Sequence, residues 1–81
     1  MTILKTKQTQ RLFKLMNLLN NFLIYTNSED SLISVEVVGG SLKIKLDDVF
    51  TLEELEARFN ITGDDFVRRE RNETITVWIS L

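Results

Sequence analysis

The 81-residue sequence predicts one small α+β domain, with two helices packed on a four-stranded antiparallel sheet. Three observations lead to this fold class. Apolar residues recur at helical spacing near the N-terminus, two alternating segments flank Gly39-Gly40, and a helix start follows Thr51. The expected order of elements is α-β-β-α-β-β. The order α-β-β-α-α-β stays open, because residues 66–71 fit a strand or a short helix.

The first helix is expected from about Gln8 to Tyr25, after a loose leader formed by residues 1–7. Its main apolar stripe has the i, i+3, i+4, i+7 spacing and comprises Leu12, Leu15, Met16, Leu19, Phe22 and Leu23. Further apolar side chains widen the stripe beyond the usual arc of about 100°. They are Phe13, Leu18, Ile24 and Tyr25. We therefore expect this helix to expose apolar surface after it has covered the sheet.

The segment 33–46 reads as a hairpin closed by Gly39-Gly40. Two glycines suit a type I′ turn, because both can adopt positive φ. This turn pairs Val37 with Leu42 and Val35 with Ile44. It also pairs Ile33 with Leu46, so that three apolar pairs share one face. Glu36 then lies opposite Lys43 on the other face, as an ion pair across the strands.

The second helix is expected over residues 52–59. Thr51 and Glu54 match a capping box, Phe50 and Leu55 match a hydrophobic staple, and Asn60 suits a left-handed stop. The last strand is expected over residues 74–81, and its alternation places Trp78 on the face opposite the apolar one. Residues 66–71 form either a strand that turns back at 72–73 or a short helix.

The composition excludes several classes of function. The chain contains no cysteine and no histidine, so it has no thiolate metal site and no Ser-His-Asp or Cys-His nucleophile. No spacing of carboxylates resembles a calcium loop. We therefore predict no enzyme, no metal, no cofactor and no small-molecule substrate. The apolar stretch 15–25 is too short to span a membrane, and we predict a cytoplasmic protein.

Charge is distributed unevenly along the chain. Residues 1–28 carry four basic side chains and no acidic one, a net charge of +4; residues 29–81 carry six basic and twelve acidic ones, a net charge of −6. Such asymmetry predicts either a charged partner or a contact between the two ends of the chain.

The leading functional hypothesis is a non-enzymatic binding module that acts through a protein–protein interface, as a homodimer. It depends on the surplus apolar surface and on the missing catalytic residue types. The candidate partner-binding residues are Phe13, Leu18, Tyr25 and Trp78, with the arginine cluster Arg68, Arg69 and Arg71. In size and composition the chain resembles the small accessory proteins of phages and mobile elements, some of which inhibit host proteins.

The alternative hypothesis is a DNA-binding regulator that uses residues 51–71. The run TLEELEARFNITGDDFVRR resembles the helix-turn-helix of winged-helix bacterial repressors, in which a capped helix, a short turn and a second helix follow one another. The resemblance implies that residues 63–71 form a recognition helix and that Arg68 and Arg69 contact DNA. A strand in this segment would argue against the resemblance.

Overall fold

The predicted order of elements is confirmed. A computed structural model describes residues 4–81, and the first three residues of the predicted leader lie outside this range. The elements are α1 (Thr6–Tyr25), a short 3₁₀ turn (Glu29–Ser31), β1 (Leu32–Val38), β2 (Ser41–Asp47), α2 (Leu52–Phe59), β3 (Phe66–Arg69) and β4 (Thr74–Ser80). Helix α1 begins at Thr6, two residues earlier than expected, so it includes the end of the predicted leader.

The four strands form one antiparallel sheet in the order β1-β2-β4-β3. Alternation along the two central strands sends six fully buried side chains to one face: Leu42, Ile44, Leu46, Ile75, Val77 and Ile79. Both helices pack their apolar stripes on this face, and the core includes Leu19, Phe22 and Leu55. The chain therefore builds two layers, helices on a sheet, and the second face of the sheet stays open.

The hairpin register is confirmed at its turn end and wrong at its far end. Val37 pairs with Leu42, Val35 with Ile44 and Glu36 with Lys43. A bulge between Leu32 and Ser34 then shifts the register, so Leu32 rather than Ile33 pairs with Leu46. The extra residue in the bulge leaves Ile33 47% exposed. Leu32 packs against the core in its place.

The turn type of the hairpin also differs from the prediction. Gly39 has a φ of +61°, and Gly40 does not adopt positive φ. Positive φ at the first central residue alone is typical of a type II′ turn, whereas type I′ requires it at both. Both turns match the twist of the strands, so the change leaves the adjoining register intact.

The start and end of α2 are confirmed in detail. The Thr51 hydroxyl accepts a hydrogen bond from the Glu54 amide at 3.1 Å, and the Glu54 carboxylate accepts one from the Thr51 amide at 2.7 Å. Asn60 ends the helix with a left-handed backbone, at φ 51° and ψ 56°. These bonds satisfy amide groups that the first turn of a helix otherwise leaves free.

Residues 66–69 form a strand that pairs with β4, which decides between the two predicted orders. The Glu70 amide donates to the Thr74 carbonyl at 2.8 Å, and Glu73 takes a φ of +61° in the connecting turn. The resemblance to a helix-turn-helix requires a helix over 63–71. The structure contains a strand there instead, and no second helix follows α2 in residues 60–81.

Candidate functional site

The predicted apolar surface of α1 is divided between separate parts of the molecule. Leu18 and Tyr25 line a groove between α1 and α2, where Leu18 packs against the core and Tyr25 is 83% exposed. Phe13, 63% exposed, does not line this groove. Trp78 lies on the open face of the sheet, behind the layer that the helices cover. The four predicted apolar residues therefore do not form one surface.

The groove between the helices is partly filled by the chain itself. The guanidinium carbon of Arg58 lies 5.2 Å from the centre of the Phe22 ring, which is itself buried in the core. A cation over an aromatic face is a favourable contact. The groove therefore presents Tyr25 together with a charged residue, and little continuous apolar area.

The predicted arginine cluster is also divided, because consecutive residues of a strand point to opposite faces. The Arg69 Nε donates to both carboxylate oxygens of Asp48, at 2.9 and 3.0 Å, and a terminal nitrogen lies 3.3 Å from the Phe50 carbonyl. Arg69 thus ties β3 to the loop before α2. Arg68 lies on the open face, and Arg71 lies in the turn beside it.

The open face of the sheet carries two rows of side chains, which the strand register sets side by side. In the first row, from β1 to β3, stand Glu36, Lys43, Trp78 and Phe66; in the second stand Ser34, Lys45, Thr76 and Arg68. Neighbouring strands lie about 4.8 Å apart, so each row brings its side chains into contact range. The members of these rows on β2, β4 and β3 line a shallow depression of about 650 Å³.

The depression combines two aromatic rings with four cations and one carboxylate. Its lining residues are Lys43, Lys45, Phe66, Arg68, Glu70, Arg71, Asn72, Thr76 and Trp78. The rings of Phe66 and Trp78 are parallel within 4°, with centres 6.1 Å apart. The Arg68 guanidinium lies 5.1 Å from the Phe66 centre. We call this set of residues the open-face site.

Two of the cations already have carboxylate partners in the sheet. Lys43 lies 3.7 Å from Glu36, and Arg68 lies 3.2 Å from Glu70. Across residues 4–81, neither Lys45 nor Arg71 has a carboxylate within 4.0 Å. Positive charge on the open-face site therefore exceeds negative charge, although the whole chain has a net charge of −2.

Glu70 is the carboxylate of the open-face site, and its pKa lies below the ordinary value. The hydrogen bond from Arg68 is the largest cause, and a hydrogen bond with Thr76 and the nearby charges of Arg68 and Lys45 act in the same direction. Partial desolvation opposes them. Glu70 is therefore ionised at neutral pH and holds Arg68 beside the aromatic pair.

Sequence reasoning named Trp78, Arg68 and Arg71 but missed the site that they share with Lys43, Lys45 and Phe66. The available signal was the strand alternation, which places these residues on the outward face of β2, β3 and β4. Joining them required the pairing of β4 with both β2 and β3. That pairing follows from the fold and not from spacing along the chain.

Comparisons with protein-family models, curated proteins and solved structures found no match to this chain. Within residues 4–81, no helix is long and apolar enough to cross a bilayer. The same residues hold no cluster of three or more acidic side chains arranged to bind a metal ion. Function is therefore inferred from the geometry of the open-face site.

Proposed function

We propose that this chain is a non-enzymatic binding module and that the open-face site binds a macromolecular partner with negative charge. One observation carries the proposal: four cations surround a parallel aromatic pair on a sheet face that no helix covers. Aromatic side chains and arginine are enriched at binding surfaces, and a patch of one sign attracts the opposite charge. The missing cysteine and histidine support a binding role over a catalytic one.

The distribution of acidic residues supports the same surface. The chain has twelve acidic side chains, and Glu70 is the one that lines the open-face site. Glu36 also stands on the open face, where it pairs with Lys43, and other acidic residues occupy the loop before α2, the first turn of α2 and the loop before β3. A partner with negative charge is therefore repelled from those segments and attracted to the open face.

A matched pair of double variants tests this proposal. Lys45→Gln with Arg71→Gln removes the two cations of the site that lack ion pairs, and Lys7→Gln with Lys14→Gln removes the same charge from α1. We expect the wild type to bind a fluorescent heparin fragment at low salt, and the open-face variant to bind about tenfold more weakly. The α1 variant should bind like the wild type.

Fluorescence anisotropy at several salt concentrations measures these affinities. Loss of two ionic contacts should also lower the slope of log affinity against log salt by about two. Equal weakening by both double variants would attribute binding to net charge instead of the open-face site, and absence of wild-type binding to every polyanion tested would overturn the proposal. Circular dichroism confirms that each variant remains folded.

The edge strand β1 supports a second proposal, self-association into a homodimer. β1 is seven residues long and carries a single charged side chain, Glu36, and within residues 4–81 it pairs only with β2. Its apolar residues Ile33 and Val38 are 47% and 42% exposed. A long edge with few charges and no proline is a surface on which a second strand can pair.

The setting that we propose follows from composition. A small chain without cysteine suits a reducing compartment, and we propose a cytoplasmic protein. Its small size and its lack of catalytic residue types also suit an accessory protein of a phage or mobile element, which would act by binding.

A further inference from the structure

We infer that the partner of the open-face site is single-stranded nucleic acid. In this arrangement bases stack on Phe66 and Trp78, and phosphates contact Lys45 and Arg71. The inference rests on the proposed function and specifies the chemistry of its partner. The observation that supports it is that flat aromatic rings lie among the cations, because a site that binds by charge alone does not need such rings.

The two rings are arranged to receive flat ligands. Phe66 and Trp78 are paired directly on β3 and β4, and their rings stack with planes parallel within 4° and centres 6.1 Å apart, so a base can cover the part of each ring that its neighbour leaves exposed. Both side chains are half-buried, so the sheet holds them in place while part of each ring stays accessible. Bases stack on such rings without regard to sequence, because every base has a π face.

Cations border the aromatic pair on two sides. Lys43 and Lys45 lie on β2, and Arg68 and Arg71 lie on β3 and in the turn that follows it. A strand whose bases cover the rings would carry its phosphates toward one or both of these borders. The Arg68 guanidinium, 5.1 Å from the Phe66 centre, offers a further planar cation against which a base can stack.

The same geometry favours a single strand over a duplex. Base pairing and stacking hide the base faces inside a duplex, and recognition then requires an element that enters a groove. The segment 63–71, which the resemblance to a helix-turn-helix predicts as a recognition helix, contains the strand β3. An open sheet face that carries accessible aromatic rings instead matches the way in which unpaired bases are bound.

An acidic peptide would pair with the charges of the site but would offer no planar group to stack on its aromatic rings. Carboxylate side chains would pair with Lys45 and Arg71 and leave the exposed part of the Trp78 ring without a planar group stacked on it. Nucleic acid supplies negative charge and flat rings at a regular spacing, so it matches both features of the site.

The experiment uses the full chain and its sole tryptophan. A fluorescent oligothymidylate of about 12 nucleotides, within the usual site size, is titrated by anisotropy against Trp78→Leu and Phe66→Leu. Tyr25→Leu is the matched control, because it removes an aromatic ring that is 83% exposed on α1. We expect each open-face variant to bind about tenfold more weakly, and the control to bind like the wild type.

Intrinsic fluorescence gives a second readout that does not depend on variants. Stacking of a base on Trp78 should quench its emission when unlabelled oligothymidylate is added to the wild type. Heparin should not quench it, because it has no aromatic rings. Because this measurement uses the wild type, its result does not depend on whether a variant folds.

The outcomes separate this inference from the proposed function. The inference fails and the proposed function stands if heparin binds at Lys45 and Arg71, Trp78→Leu binds oligothymidylate as tightly as the wild type, and oligothymidylate does not quench the emission of the wild type. Preference for a poly-glutamate peptide over oligothymidylate would also overturn the inference and indicate a protein partner. If none of the three polyanions binds, both fail.

Discussion

At the scale of single residues, the alternation of a strand determines what each arginine does. Arg68 and Arg69 are neighbours in sequence, yet Arg69 pairs with Asp48 on the helix side and Arg68 faces the open sheet. The Arg69 side chain is half exposed, so its ion pair contributes little stability and serves mainly to position the loop before α2. The residue beside it pairs instead with Glu70 on the open face.

Glu70 limits the positive charge of the open-face site. Removing its charge should therefore strengthen binding, whereas the substitutions proposed above for this site weaken it. Glu70→Gln removes the carboxylate that lies 3.2 Å from Arg68. We expect the variant to bind the heparin fragment about two- to fivefold more tightly, because Arg68 no longer has a competing anion. Titration by anisotropy at low salt measures the change.

The control for this prediction is Glu73→Gln, which removes an exposed carboxylate from the same turn but not from the site. Equal effects of the two variants would contradict a local role for Glu70.

The ion pair of Glu70 with Arg68 also makes the stability of the fold depend on pH. Because folding lowers the pKa of Glu70, its contribution to stability is present at neutral pH and is lost as the pH falls through that lowered value.

At the scale of elements, α2 shows how a short helix depends on its ends. Eight residues are too few for a helix to be stable alone, so the capping box and the packing of Leu55 and Phe59 must hold it. Thr51→Ala removes the hydroxyl that accepts from Glu54 at 3.1 Å. We expect the free energy of unfolding to fall by about 1 kcal/mol, as measured by urea denaturation.

Thr62→Ala is the matched substitution for this test, because Thr62 is an exposed threonine outside the helices and strands. It should change the free energy of unfolding by less than about 0.5 kcal/mol. If Thr51→Ala were equally mild, the packing of α2 rather than its cap would account for its stability.

At the scale of the whole molecule, local signals predicted the fold, and long-range pairing determined the site. The capping box at Thr51 and the alternation beside Gly39 each lie within a few residues of sequence. The open-face site joins Lys43 to Trp78 and Phe66, which strand pairing alone brings together. The bulge at Ile33 was also missed, because nothing within the strand marks the extra residue.

The predicted contact between the two ends of the chain takes an unexpected form. The Arg11 Nε donates to the Ser80 carbonyl at 2.9 Å, so α1 is joined to β4 by a hydrogen bond to the backbone. Within residues 4–81, the four cations of α1 and the residue before it form no ion pair with a carboxylate. The asymmetry of charge therefore does not hold the fold together.

Self-association through β1 would join two molecules into one eight-stranded sheet. Val38 and Ser41 flank a two-residue turn and pair through the backbone, so by alternation the amides of Val35 and Val37 point outward. A twofold axis at Val35 places Glu36 opposite Ser34 of the second copy, whereas an axis at Glu36 would set two carboxylates against each other. We therefore expect the first register.

A proline at position 35 tests this arrangement, because an edge strand tolerates proline where the amide faces solvent. Light scattering on a sizing column, at several concentrations, should give a dimer for the wild type and a folded monomer for Val35→Pro. Leu18→Glu, in the groove between the helices, should remain dimeric. A dimer that Leu18→Glu splits and Val35→Pro preserves would place the interface on the helices, and a monomeric wild type would refute self-association. Pairing at the β1 edge leaves the open face of each molecule uncovered. A dimer of this kind would therefore carry two open-face sites on one continuous sheet.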